Sequence, residues 1–327
     1  MPSSVQDRLK EVAAVGTEIA ETGWAYHEGE FKRLADAHVS IATHAFNYGT
    51  GIFEGIRAYW NAPHEQLYAF RLREHFQRMA GSTKLLRIDL PADVAGLCEI
   101  TLELLRRNEF RTDVYVRPLA YKAARSIKVA LTDLRSGFGM FAFPIGSYLP
   151  TSGLAAKTST WRRTSDDVIP ARGKLTGAYI NTALAVDEAH DFEADEAIFL
   201  TQDGHVSEGG GANVFMIRDG VLITPPVTDD ILEGITRDAL LRLAGDLGVR
   251  VQQRPIDRTE LFIADEVFFC GTGAQVAPCV MVDGRTVGDG KIGPISKRIG
   301  ELYFAVARGD DQRHPEWRTA VYPRKGA

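Results

Sequence analysis

Short apolar runs alternate along this chain with longer stretches whose apolar positions recur every three or four residues. LYAFRLREHFQRMAGSTKLLRID (67–89) reads as a short strand followed by a helix that sets Glu74, His75, Arg78 and Met79 on neighbouring faces. Residues 92–108 space Val94, Leu97, Ile100, Leu104 and Leu105 as an amphipathic helix does. VYVRPLAYKAA (114–124) predicts a strand, and GFGMFAFPIGSYLP (137–150) a buried strand ending in Pro and Gly. Farther on, strands are expected at 195–201, 213–217, 221–224, 249–253 and 265–270, and helices at 176–189, 234–248 and 294–306. Residues 1–23 are a polar, partly helical lead-in, and Trp24 to Ile41 alternates enough for strands with a turn at Gly29-Glu30. HAFNYGTGIFEGIRAYW (44–60) supports two readings. It is a glycine-punctuated core helix, or it is a pocket wall in which Gly49, Thr50, Gly51 and Gly55 give room while Tyr48, Phe53 and Tyr59 give shape.

This mixture predicts an α/β (α+β) protein of two domains. The small, polar stretch TSGLAAKTST (151–160) marks the joint. A smaller N-terminal α/β domain is expected over 1–150, a linker over 151–157 and a larger C-terminal domain over 158–327. The polar C-terminal stretch, with Trp317 and Tyr322, reads as a tail packed along the surface. The net charge of -5 argues against nucleic acid as a default partner, since phosphate binding wants a basic face. Three cysteines without metal-type spacing fit a reduced, cytoplasmic setting. The N-terminus lacks the apolar core of a signal peptide, and no apolar run has membrane-spanning length.

Chemistry concentrates between residues 168 and 215. Pro170 and Gly173 break regular structure just before Lys174, and good helix formers run from Ala178 to Ala189. The lysine therefore sits at a chain bend. Downstream, Glu208 adjoins Gly209-Gly210-Gly211, bare backbone that a flat or anionic ligand can approach closely. Gly234 opens a helix whose free Ile235 and Thr236 amides suit a phosphate, the alternative being an ordinary helix start. Gly271-Thr272-Gly273, after a strand, is a second candidate anion nest. Arg117 lies inside an apolar strand, which is costly unless it is paired. The histidines have no metal-ligand spacing, so no metal is expected, and neither a G-x-S-x-G elbow nor a G-x-x-x-x-G-K-[ST] loop occurs. Lys174, Glu208, the two anion seats and Arg78 together fit a cofactor with an aldehyde, a ring nitrogen and a phosphate. Lysine forms a Schiff base with the aldehyde, and a carboxylate keeps the ring nitrogen protonated.

GKLTGAYIN and VSEGGGANVF resemble the signature region of the fold-type IV pyridoxal-phosphate enzymes, the branched-chain aminotransferase-like family. NYGTGIFEGIRAY, REHFQRM, YVRPL, FPIGSYL, EGITRDA, ADEVFFCGTGAQVAP and the GPISKRI helix resemble further blocks of the bacterial branched-chain aminotransferases, in the same order. The resemblance implies pyridoxal 5'-phosphate between a small N-terminal and a larger C-terminal domain, with a homodimer as the minimal unit. It implies that Lys174 carries the Schiff base, Glu208 meets the pyridine nitrogen and Tyr179 the ring hydroxyl. Arg78, Ile235, Thr236 and Thr272 would hold the phosphate, with Leu232 packed on the ring face. Tyr48, Phe53, Arg57, Tyr115, Arg117 and Tyr148 would form the substrate pocket, and the backbone at Thr272, Gly273 and Ala274 would receive the α-carboxylate. The implied substrates are branched-chain L-amino acids with 2-oxoglutarate and L-glutamate, Arg117 meeting the γ-carboxylate.

Relatives that act on D-amino acids or (R)-amines usually differ at the positions of Tyr48, Gly55, Arg57 and Arg117, where this chain keeps the branched-chain pattern. Within the fold, a D-amino acid or (R)-amine transaminase and an aminodeoxychorismate lyase are the alternatives. Outside it, the alternative is a non-catalytic binding protein, which Lys174, Tyr179 and Glu208 disfavour. Two departures bear on substrate range: Ile145 stands where many bacterial members carry tryptophan, and KAARSIKVALTDLRSG (122–137) lacks their glycine-rich loop. Some activity toward aromatic amino acids or amines is expected from them.

Overall fold

The computed structural model describes residues 19–146, 149–150 and 152–323. The chain forms two compact units that are not consecutive halves. One gathers residues 19–146, Gly173–Ala178 and 306–323. The other gathers residues 149–150, 152–172 and Tyr179–Ala305.

In the first unit the strands are β1 (Trp24–His27), β2 (Glu30–Arg33), β3 (Gly51–Phe53), β4 (Ile56–Asn61), β5 (Gln66–Phe70), β6 (Val114–Lys122) and β7 (Ser136–Pro144). With a C-terminal strand, Arg318–Ala320, they make one antiparallel sheet ordered Arg318–Ala320, β5, β4, β6, β7, β1, β2, and β3 also pairs with β6. Helices α1 (His44–Tyr48), α2 (Leu72–Leu86) and α3 (Val94–Asn108) accompany it. The inward face of α2 carries Leu72, His75, Phe76, Met79, Ser82 and Thr83, the three-and-four spacing of an amphipathic helix. Asp93 caps α3 by accepting from the Gly96 amide at 2.8 Å.

Of the two readings of 44–60, the glycine-punctuated helix is not what forms. Only His44–Tyr48 is helical, and β3 and β4 follow. Gly49 ends the helix at φ +65°, a left-handed position that favours glycine, and a Cβ there would lie 2.8 Å from the Gly177 Cα. The C-terminal stretch, expected as a tail packed along the surface, instead joins the sheet through Arg318–Ala320 on β5. Trp317 is buried and meets Phe70 edge to face at 5.9 Å, while its carbonyl accepts from the Arg71 amide at 2.6 Å.

The second unit holds β8 (Leu154–Arg162), β9 (Glu196–Leu200), β10 (Val206–Gly209), β11 (Asn213–Arg218), β12 (Val221–Thr224), β13 (Val251–Gln253), β14 (Glu266–Gly271), β15 (Gln275–Val282) and β16 (Arg285–Thr286). Their order is β10, β9, β8, β15, β14, β11, β12, β13, with β16 on β15. The pairs β8/β9, β8/β15 and β12/β13 are parallel, so the sheet is mixed. Helix α4 (Tyr179–Asp191) makes the crossover between parallel β8 and β9, resting Ala185 and Ala189 against Ala197 and Phe199. Helices α5 (Ile235–Asp246) and α6 (Pro294–Arg308) follow. The core between these elements includes Val214, Met216, Phe269, Ile198 and Leu261. Strand β8 occupies the stretch read from sequence as a joint. Apart from Leu154 its inward residues, Ala156, Thr158 and Ser159, are small or polar and so carry little apolar signal.

Candidate active site

In the first unit, Lys174 is stitched to β3 by its backbone. The Phe53 amide donates to the Lys174 carbonyl at 3.1 Å, Leu175 bridges antiparallel to Ile52, and the Thr176 hydroxyl donates to the Gly49 carbonyl at 2.8 Å. A Cβ on Gly173 would lie 2.5 Å from the Leu85 Cδ1, so that exposed side chain would have to turn aside. A single 3-10 turn, Thr176–Ala178, separates the lysine from α4. The lysine is therefore outside the helix, at a bend, as the sequence indicates. Its side chain is half-buried, with Nζ 4.7 Å from the Phe53 ring centroid.

Arg117 borders the same ring. Its guanidinium carbon is 4.5 Å from the Phe53 centroid and 5.3 Å from that of Tyr115, and Nη2 donates to the Tyr115 hydroxyl at 3.4 Å. Among the described residues, its buried Nε has no hydrogen-bond partner. A buried donor left unmatched costs about 1–3 kcal/mol. Gly55 makes room here, since a Cβ would fall 1.9 Å from the Tyr115 hydroxyl oxygen. Arg57 is buried and gives Nη2 to the Gly146 carbonyl at 2.8 Å, so it braces the end of β7. Tyr48 is 42 % exposed and donates to the Ile127 carbonyl at 3.1 Å. Tyr148 lies outside the described residues.

Arg78 projects from α2 and donates from Nε and Nη2 to the two carboxylate oxygens of Glu54, each at 2.8 Å. His75, one turn earlier, adds a bond from Nδ1 to Glu54 Oε2 at 2.8 Å. Sequence reasoning found Arg78 and missed Glu54. The available signal was a lone acid between two short apolar strands, IFEGIRAYW.

The second unit places Glu208 at the end of β10 with both oxygens engaged. Arg163 Nη2 pairs with Oε1 at 2.8 Å, and Oε2 accepts from the Leu232 amide and the Asn213 side-chain amide, both at 3.0 Å. Asn213 also donates to the Leu232 carbonyl at 3.0 Å and packs against Gly234, where a Cβ would fall 2.0 Å from the Asn213 Oδ1. These bonds tie Glu208 and Leu232 to the start of α5, whose first residues are Ile235 and Thr236. Three charge-assisted bonds favour the ionised carboxylate. Arg163 was not foreseen, because an arginine at the end of a polar strand looks like any surface charge. Behind the glycine turn, Glu196 is buried and accepts from the Ala197 and Gly210 amides at 2.8 and 3.0 Å. Burial pushes its carboxyl up to about 7 against the pull of those bonds. Tyr179 opens α4 half-buried, and Thr272, Gly273 and Ala274 form the turn between β14 and β15.

The first unit thus offers a half-buried primary amine beside an aromatic ring and a braced guanidinium, and the second a hydrogen-bonded carboxylate, the kinds of group that a cofactor with an aldehyde, a basic ring nitrogen and a phosphate calls for.

Residues 51–282 match the family model for amino-transferase class IV, more than half of the chain. A probable branched-chain-amino-acid aminotransferase of Aquifex aeolicus is 46 % identical over 301 residues, covering 91 % of this chain and 97 % of that protein. The branched-chain-amino-acid aminotransferase of Escherichia coli K12 is 37 % identical over 306 residues, covering 91 % and 97 % respectively. Among solved structures, the branched-chain aminotransferase of Thermoproteus uzoniensis with norvaline aligns at a TM-score of 0.89 with 40 % identity, covering 92 % of this chain and 100 % of that one. The PLP-form of the branched-chain amino acid aminotransferase from Thermobaculum terrenum also aligns at a TM-score of 0.89, with 36 % identity over 93 % and 100 % of the two chains.

Proposed function

The chain belongs to the class IV amino-transferase family, and from that membership we propose how its own residues carry the reaction. It is a fold-type IV, pyridoxal-phosphate-dependent aminotransferase that moves an amino group between branched-chain L-amino acids and 2-oxoglutarate, giving branched-chain 2-oxo acids and L-glutamate. Pyridoxal 5'-phosphate, when bound, supplies the aldehyde that exchanges amino groups and a ring that accepts the electrons left at the substrate α-carbon.

Lys174 is the residue that supports the residue assignments most strongly. Its backbone is fixed to β3 and its Nζ is held over Phe53, so the amine has a defined place from which to bind the aldehyde and then carry a proton at the α-carbon. Glu208, held ionised by Arg163 and two amide donors, keeps a proton on the ring nitrogen. Tyr179 bonds the ring hydroxyl, and Leu232 packs on the ring. Arg78, Ile235, Thr236 and Thr272 hold the phosphate, the α5 N-terminus contributing its amides. Phe53, Tyr115, Tyr48 and Arg57 line or support the side-chain pocket. Arg117, its guanidinium beside Phe53, takes the γ-carboxylate of glutamate or 2-oxoglutarate, and Phe53 packs against an apolar side chain when leucine binds. The backbone of Thr272, Gly273 and Ala274 receives the α-carboxylate.

The protein acts as a homodimer in the cytoplasm. Exposed apolar side chains in the first unit, Phe46 at 72 % and Ile127 and Ile41 at 83 %, support self-association, because so much apolar surface is costly in water. Cys98, Cys270 and Cys279 are unpaired, as expected in a reducing compartment. No helix among the described residues is long and apolar enough to cross a membrane.

An absorbance spectrum of the purified protein, before and after L-leucine, tests the reaction. The visible band of the bound cofactor is expected to give way to a shorter-wavelength band and to return when 2-oxoglutarate is added. A band indifferent to L-leucine that responds to D-alanine would overturn the substrate assignment.

A further inference from the structure

Glu54 is 0 % exposed and His75 2 %, yet the assignments above give neither a part in the reaction. The carboxylate of Glu54 meets Arg78 side-on through Nε and Nη2, a two-point contact that fixes the plane of the guanidinium and not merely its position. Because an ionised carboxylate only accepts, His75 donates its Nδ1 proton to Oε2, and this third bond stops the carboxylate from rotating about its own axis. The backbone of Glu54 is fixed in turn, its amide donating to the Pro118 carbonyl on β6 at 3.0 Å. A continuous chain of bonds therefore runs from the sheet through Glu54 to the guanidinium on α2. Burial works to raise the Glu54 carboxyl, but the charge and bonds of Arg78, and then those of His75, outweigh it and hold the group well below the usual carboxylate range. The Glu54–Arg78 pair thus stays ionised across the working pH range.

We propose that Glu54 and His75 are positioning residues for Arg78, holding its guanidinium in the one orientation that grips the cofactor phosphate. The proposal rests on the reading that Arg78 is a phosphate ligand. A pair that only staples α2 to the sheet would, once broken, weaken the fold and treat phosphorylated and unphosphorylated cofactor alike. A pair that aims Arg78 affects the phosphorylated form selectively.

The full-length chain and its Glu54→Gln, Glu54→Asp, His75→Asn and Arg78→Gln variants are dialysed against graded pyridoxal 5'-phosphate or graded pyridoxal, which lacks the phosphate. Occupancy is read from the cofactor's absorbance. The unaltered chain should favour the phosphorylated form strongly, and Arg78→Gln should lose most of that preference. Glu54→Gln should bind pyridoxal 5'-phosphate roughly ten- to a hundredfold more weakly, the range for losing bonds to a charged group, with pyridoxal binding unchanged. Glu54→Asp should recover part of the loss. Equal weakening toward both compounds in Glu54→Gln, or no weakening, would overturn the proposal while Arg78→Gln still loses its preference. An Arg78→Gln variant that keeps the preference would instead overturn the phosphate reading of Arg78 and the proposal with it. Should Glu54→Gln fail to fold, His75→Asn decides, since it leaves the Arg78–Glu54 pair in place: a loss confined to the phosphorylated form supports the proposal, and identical behaviour toward both compounds defeats it.

Discussion

Lys174 and Phe53 meet twice, once through the backbone and once through the side chains. The Phe53 amide donates to the Lys174 carbonyl at 3.1 Å, and the Lys174 Nζ stands 4.7 Å from the centre of the Phe53 ring. The same residue that fixes the lysine's main chain therefore also walls its amine, so the amine's position is set by the sheet and not by a flexible loop.

That arrangement predicts the outcome for Lys174→Ala. The backbone bonds to Phe53 and Gly49 remain, so the variant should fold and melt close to the unaltered protein. Turnover of L-leucine should fall at least roughly a thousandfold, since one residue supplies both the nucleophile and the proton carrier. Melting curves and a leucine assay with saturating cofactor check both halves, and an active variant would end the assignment.

Arg117 should discriminate between the two substrates. Removing a guanidinium that meets a carboxylate costs about 1.5–3 kcal/mol, roughly ten- to a hundredfold. Arg117→Ala should lower kcat/KM for 2-oxoglutarate by that much and for leucine by much less, because an apolar side chain gains nothing from the charge. Equal losses for both would show that the γ-carboxylate binds elsewhere.

Much of this was legible beforehand. The helices over 72–86 and 94–108 and the strand over 114–122 follow from apolar spacing, and the bend at Lys174 follows from Pro170 and Gly173. The family and its reaction, expected from motif order, agree with the relatives of known sequence and structure. What stayed hidden depends on partners distant in sequence. Glu54 gains its meaning only from α2, Arg163 only from Glu208, and β8 is concealed by small and polar residues that pack as a strand because parallel neighbours flank them. Tight turns misled in a different way: the helix at His44–Tyr48 ends on a single left-handed glycine, which periodicity does not register.

Gly55 is a third point of test. Its neighbour across the sheet is the Tyr115 hydroxyl oxygen, 1.9 Å from where a Cβ would sit, and Tyr115 is buried and cannot swing freely. Gly55→Ala must push the ring and, with it, the bond to Arg117. Overpacking of this kind costs about 1–3 kcal/mol. The variant should melt lower and lose kcat/KM for leucine and 2-oxoglutarate together, in contrast to Arg117→Ala. Unchanged kinetics with both substrates would show that the Tyr115 ring is not a wall of the pocket.

Glu196 makes stability depend on pH. Burial pushes its carboxyl up to about 7, well above the usual carboxylate range. The folded chain therefore holds a proton that the unfolded chain has already released once the pH exceeds the ordinary carboxylate value. Stability contributed by this proton is complete below that value, declines as the pH rises toward 7, and is gone above it. Glu196→Gln keeps a carbonyl oxygen for the Ala197 and Gly210 amides and has no proton to lose. The variant should thus gain on the unaltered protein as the pH is raised from about 5 to about 8, by at most about 3 kcal/mol. Melting temperatures of both proteins across that range measure the difference. Parallel curves would mean that Glu196 is ionised in the fold at all these pH values, its charge carried by the two amides alone.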